Sequence, residues 1–73
     1  MSQYFNLQQI SIAPLGPFSI QKGDRLRDIF SRRVYYVEGV YLNESKEHLL
    51  LGHYDGEPGE KLYLPVRNFE MLK

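Results

Sequence analysis

His48 and His53 are the side chains in this chain best suited to moving protons or holding a metal near neutral pH. They lie five residues apart in a run patterned like a strand. Strand side chains alternate faces with a period of two, so an odd spacing sends the two rings to opposite sides. They make a poor metal pair, and with no cysteine in the chain a zinc site would need distant carboxylates. The expectation is two surface or rim histidines, with no metal and no cofactor. A carboxylate such as Glu47 or Asp55 beside either ring would give an ordinary pH response. Gly52-His53-Tyr54-Asp55-Gly56 holds two glycines but is not a phosphate loop, which needs its glycines between a strand and a helix. No nucleophile stands out beside an acid–base partner, so no catalytic residue and no enzyme is expected.

The arginines are the sharper feature. Between Lys22 and Arg33, the cations Lys22, Arg25, Arg27, Arg32 and Arg33 outnumber Asp24 and Asp28, while the chain from Val34 onward carries a matching acidic surplus and the net charge is zero. Such a dipolar distribution weakens a general nucleic-acid reading. In a strand Arg25 and Arg27 share a face, Arg32-Arg33 occupy the adjoining connection, and Tyr35-Tyr36 follow at once. Basic residues edged by tyrosine suit an acidic protein surface, where arginine steers and pairs while tyrosine supplies buried area. The same residues suit a nucleic-acid strand, with phosphates on arginine and bases stacked on rings. The plain alternative is a solvated face neutralised by Asp24, Asp28 and the acidic half. Of the six tyrosines and four phenylalanines, most must fill the core. Yet Val34 to Leu42 is apolar at both parities, so some of Tyr35, Tyr41, Tyr54 and Tyr63 should stay partly exposed. The expected contact surface is Arg27, Arg32, Arg33, Tyr35 and Tyr36.

The elements that must hold these residues are short strands, because glycine and proline punctuate the chain and β-branched and aromatic residues fill the intervals. Tyr4 to Ile12 reads as a strand whose parity changes across Gln8-Gln9, the sign of a bulge or break, with a short helical turn as the competing reading because Leu7 and Ile10 are three apart. Pro14-Leu15-Gly16-Pro17 reads as a loop. Phe18 and Ile20 alternate into a turn at Lys22-Gly23-Asp24; Leu26 and Ile29 form the next strand, with Phe30 capping it. Val34 to Leu42 is the strongest strand, with Gly39 as a hinge that lets one strand serve two sheets. A turn at Asn43 to Lys46 returns the chain through Glu47 to Tyr54. A second turn, Asp55 to Gly59, leads to Lys61–Leu64; a single helical turn at Pro65 to Asn68 then precedes the closing strand.

All 73 residues make one domain, 1–73. A chain of this size buries about 60% of its unfolded surface, a thin margin that homodimerisation through an edge strand would supplement. The absence of cysteine, of a basic leader and of a long apolar run points to the cytoplasm, including that of a cell entered by a phage or plasmid, and away from a membrane.

Phe18-Ser19-Ile20-Gln21-Lys22-Gly23-Asp24-Arg25-Leu26 is similar to the Leu-Ser-Phe-x-Lys-Gly-Asp-x-Leu diverging turn of the Src-homology-3 family. Leu64-Pro65-Val66-Arg67-Asn68-Phe69-Glu70-Met71-Leu72 resembles its Pro-Ser-Asn-Tyr-Val-Glu-Leu ending, and Tyr35-Tyr36 falls roughly where the family has a Trp-Trp pair. The resemblance implies an all-β fold, a small five- or six-stranded Src-homology-3-like barrel with a short 3₁₀ turn before the last strand. It also implies that Phe18, Ile20 and Leu26 point inward, and that Pro65 and Asn68 adjoin the contact surface. The family's proline-rich ligand does not carry over. Tyr4 to Ile12 lacks the Ala-Leu-Tyr-Asp-Tyr motif, Ala13 to Pro17 replaces the acidic loop, and Asn68 stands in the place of an aromatic. The expected function is a non-enzymatic protein-interaction module, or a small regulator of a larger protein partner with an acidic surface; the alternative is a nucleic-acid-binding barrel using Arg25 to Tyr36.

Overall fold

A computed structural model describes residues 6–72. Its strands are β1 (Gln8–Ile10), β2 (Ala13–Leu15), β3 (Phe18–Ile20), β4 (Arg25–Asp28), β5 (Val34–Leu42), β6 (His48–Tyr54), β7 (Leu62–Pro65) and β8 (Phe69–Met71), with a 3₁₀ turn over Val66–Asn68 between the last two. Six of them form one antiparallel sheet in the order β7-β6-β5-β4-β8, with β1 also paired to β5; β2 and β3 form a separate hairpin. Among the described residues the hydrogen-bonded path does not close. Its two ends, β7 and β8, are nevertheless separated in sequence only by the 3₁₀ turn, so the sheet must curl to bring them together. Among the described residues no helix is long and apolar enough to cross a membrane.

The strand expected over Val34 to Leu42 forms with those bounds, but it serves one sheet rather than two, and its bend is a bulge beside Gly39. Val37 pairs with Gly52 and Gly39 with Leu51, so Glu38 is the extra residue of a bulge. Before it the odd positions Tyr35 and Val37 face the core, and after it the even position Val40 does. A run that looks apolar on both faces is one inward face whose parity switches. The same bend divides the free edge of β5: its first residues pair with β4 and its last with β1.

Tyr35 sits at the centre of the core with no exposed surface, edge-on to Tyr54 at 5.3 Å and against Phe69 at 4.6 Å between ring centroids. Its hydroxyl lies 2.7 Å from the Leu62 carbonyl oxygen and 3.1 Å from that of Leu50. Burial pushes its pKa well above the ordinary tyrosine value, with the nearby Tyr54 and Glu38 adding to the shift. The loss of solvation is offset by those acceptors. Tyr41, Tyr54 and Tyr63 are half-buried, as the surplus of tyrosine required.

Several expectations are corrected. Pro14 to Pro17 is not an unpaired loop: Leu15 pairs with Phe18 and Pro14 with Ser19 across a two-residue turn. Gly16 has a φ of 59°, and Pro17 holds φ negative, the sign sequence of a type II′ hairpin turn, so these breakers make the hairpin rather than prevent it. Phe18 does not point into the core but is 54% exposed, while Ile20 and Leu26 are buried. Strand β4 ends at Asp28, leaving Ile29 and Phe30 exposed in the following turn. Gln8 and Gln9 lie inside β1, the interruption falling instead at Ser11 and Ile12. Tyr4 and Phe5 lie outside the described residues.

Candidate functional site

The β2–β3 hairpin has one apolar face. Opposite residues in an antiparallel pair share a face, so Ala13/Ile20 and Leu15/Phe18 form one stripe. Ala13 and Ile20 are sealed in the core; the stripe then reaches the core's rim, where Leu15 packs half-buried against it and Phe18 overhangs, exposed. This overhang is one bank of an open groove of about 590 Å³ that runs along β8 and is also lined by Phe69, Glu70 and Met71, with Arg27 and Arg32 on the far side.

Asp28 builds that far side. Its buried carboxylate accepts the amide N–H groups of Phe30 at 2.8 Å and Ser31 at 3.1 Å through one oxygen, and the Tyr54 hydroxyl through the other. Burial by itself raises the pKa of this group, but the hydrogen bonds from Tyr54, Ser31 and Phe30 outweigh it and hold the carboxyl below its ordinary range. The clamp folds residues 29–33 back on β4. Arg32 takes a left-handed φ of 66°, its N–H donates to the Asp28 carbonyl at 2.9 Å, and its carbonyl accepts the Arg27 guanidinium at 2.8 Å. The Arg32 guanidinium lies 3.1 Å from the Glu70 carboxylate. A strained residue held from both sides fixes the arginines against the groove.

The sequence-expected site residues divide into groups. Arg27 and Arg32 are brought together at the groove. Arg33 faces elsewhere: its guanidinium is 2.7 Å from Glu57 and 4.6 Å from the ring centroid of Tyr54. Tyr36 is stacked on His53 at 5.3 Å, with its hydroxyl 3.4 Å from Asp55. His53 in turn contacts Glu38 at 2.6 Å, and Lys61 reaches the same oxygen at 2.6 Å, so the histidine's partner is Glu38 rather than Glu47 or Asp55. Tyr35 cannot serve as a contact residue because it is wholly buried, with its hydroxyl occupied by the Leu50 and Leu62 carbonyls. Pro65 is buried too, at the junction of β7 and the 3₁₀ turn. Asn68 is half-buried, and its carbonyl accepts the Ile29 N–H at 2.9 Å, so it ties the 29–33 turn to β8 instead of facing a partner.

No family model, curated protein or solved structure matches this chain.

Sequence reasoning missed Leu15, Phe18, Phe69, Glu70 and Met71 as groove residues. A signal for the first two was present: reading Gly16-Pro17 as a hairpin turn pairs Leu15 with Phe18 and puts two large apolar residues at an exposed tip. Nothing in the sequence pairs that tip with β8.

Proposed function

We propose that this chain is a non-enzymatic protein-interaction module, a small regulator that engages a larger cytoplasmic partner through the groove between the β2–β3 hairpin and β8. The observation that carries the reading is Phe18, exposed at the hairpin tip, lining one open groove together with Leu15 and Met71 at the core's edge. Large apolar side chains at a rim with charged neighbours are the composition of an interface anchor. A Src-homology-3-like, partly open barrel is the architecture we infer, supported by β7 and β8 lying at opposite ends of the sheet while joined by a 3₁₀ turn. Arg32 and Arg33 are already paired with Glu70 and Glu57, which reduces the charge these two offer an acidic surface or a phosphate backbone. Apolar contact leads in this reading, and charge follows.

The test is a pull-down with and without nuclease, using the wild type, Phe18→Ser, Arg32→Glu and, as a control for general stickiness, Phe30→Ser, whose ring is 74% exposed away from the groove lining. Capture lost with Phe18→Ser and kept with Phe30→Ser is the expected result. Capture that vanishes with nuclease favours the nucleic-acid alternative and overturns the protein reading. Equal loss in both phenylalanine variants, or no loss in Phe18→Ser, overturns the choice of face.

A further inference from the structure

Among the described residues, strand β8 is the end of the sheet and pairs only with β4. The direction of its remaining backbone groups follows from β4. The Asp28 N–H donates to the Arg33 carbonyl and the Asp28 carbonyl accepts the Arg32 N–H, both at 2.9 Å, so the backbone of Asp28 faces β5. Alternation then turns the backbone of Arg27 toward β8, where its register partner is Glu70. Phe69 and Met71 therefore aim their backbone groups the other way, along the free edge and into the groove. The Phe69 N–H is taken by the Val66 carbonyl, which leaves the Phe69 carbonyl and both backbone groups of Met71 without a backbone partner among the described residues. An open edge beside an apolar bank is a template for strand addition.

We infer that the groove receives an extended segment of the partner protein, added antiparallel to β8, with an apolar–basic–apolar pattern; this rests on the interaction reading above. The length of β8 matches a segment of about three to four residues, at about 3.4 Å per residue. Residues opposite Phe69 and Met71 share their inward face and meet the apolar stripe of Leu15 and Phe18. The residue between them stands directly opposite Glu70, the one outward side chain of β8. That carboxylate already bonds the Arg32 guanidinium and keeps acceptor capacity for a second cation, so lysine or arginine is the complement. The same geometry disfavours a second copy of this chain as the occupant: in-register two-fold pairing of β8 places Glu70 opposite Glu70, a destabilising like-charge pair.

The experiment follows amide hydrogen exchange and amide shifts by NMR on the full chain, with the probe peptide acetyl-Thr-Val-Lys-Val-Thr-amide in excess. Exchange of the Met71 amide should slow by at least about tenfold, because a bonded edge amide must open before it exchanges. Replacing the peptide's lysine by glutamate should weaken binding by about three- to tenfold. Methylating both valine nitrogens should abolish the Met71 effect. Shifts at Phe18 with unchanged Met71 exchange would mean side-chain docking alone, overturning strand addition while the interaction reading stands. No response to the peptide, with Phe18-dependent capture of a partner intact, has the same consequence; loss of that capture as well ends both. A Met71 amide already protected without peptide, in a chain that elutes as a dimer, overturns the partner segment in favour of self-pairing.

Discussion

Replacing Asp28 by asparagine should destabilise the domain near neutral pH by about 1–2 kcal/mol, and the deficit should shrink in acid. The magnitude follows from how the two carboxylate oxygens are used. One accepts the Phe30 and Ser31 amides, and asparagine keeps that oxygen. The other accepts the Tyr54 hydroxyl, and there asparagine offers an NH₂ group instead, so the hydroxyl must turn from donor to acceptor. All three bonds lose their charge assistance, and the one to Tyr54 must also reverse its direction. Asp28→Ala removes all three bonds, each of them part-buried, and should cost about 3 kcal/mol. For a domain of this size, 1 kcal/mol moves Tm by about 4–8 °C. The pH dependence has a definite sign. The folded-state pKa of Asp28 is depressed below its ordinary 3.8, so its contribution is present above that value and is lost as pH falls through the lower, folded pKa. Urea unfolding of wild type and Asp28→Asn at about pH 7 and about pH 3 measures the narrowing of the gap. A second readout is Tyr54, whose pKa is raised to about 12 by burial and then by its bond to Asp28. In Asp28→Asn, one tyrosine should titrate at lower pH in an ultraviolet titration. Equal stability at neutral pH, or a gap that stays constant into acid, would refute Asp28 as the ionised clamp of the 29–33 turn.

Three further substitutions test the core around β5. A Cβ at Gly52 would sit 2.0 Å from the Tyr36 carbonyl oxygen and 2.9 Å from the Tyr35 ring, so Gly52→Ala should cost at least about 3 kcal/mol because a backbone atom must move. Gly39→Ala meets only the Tyr41 ring, at 3.0 Å, and that side chain can swing aside, so its loss in thermal unfolding should stay under about 1.5 kcal/mol. Tyr35→Phe keeps the ring packing but strips the Leu62 and Leu50 carbonyls of their hydroxyl, and should lower stability by about 1–2 kcal/mol in urea unfolding.

Much of the strand layout was legible because it depends on neighbours in sequence. The turns at Lys22 to Asp24 and Asn43 to Lys46 were readable from glycine, aspartate and asparagine, and the structure puts Gly23 at a φ of 97° with the Asp24 carboxylate accepting the Gln21 N–H. The long strand with its glycine bend was readable from β-branched and aromatic residues on both parities. The site was less legible. Tyr35 looked like a contact residue because local sequence cannot say which face of an all-apolar strand is inside; the bulge at Glu38 decides that. Arg32 and Arg33 looked like a single basic patch, yet neighbours in a turn diverge, and their acidic partners lie 38 and 24 residues away.

By itself the sequence determined that this chain makes short strands and tight turns without disulfides, since those follow from residue types and spacings of a few positions. It determined where the longest strand runs and where the 3₁₀ turn interrupts the last one. Only the tertiary structure decided that, among the described residues, β8 ends the sheet with one edge open, that Phe18 at the hairpin tip overshoots the core beside it, and that the arginines are held there by a buried aspartate. The reason is physical: edge and overhang are properties of how far one element extends past another. That is set by long-range pairing and by the core's finite size, neither of which any local window of residues encodes.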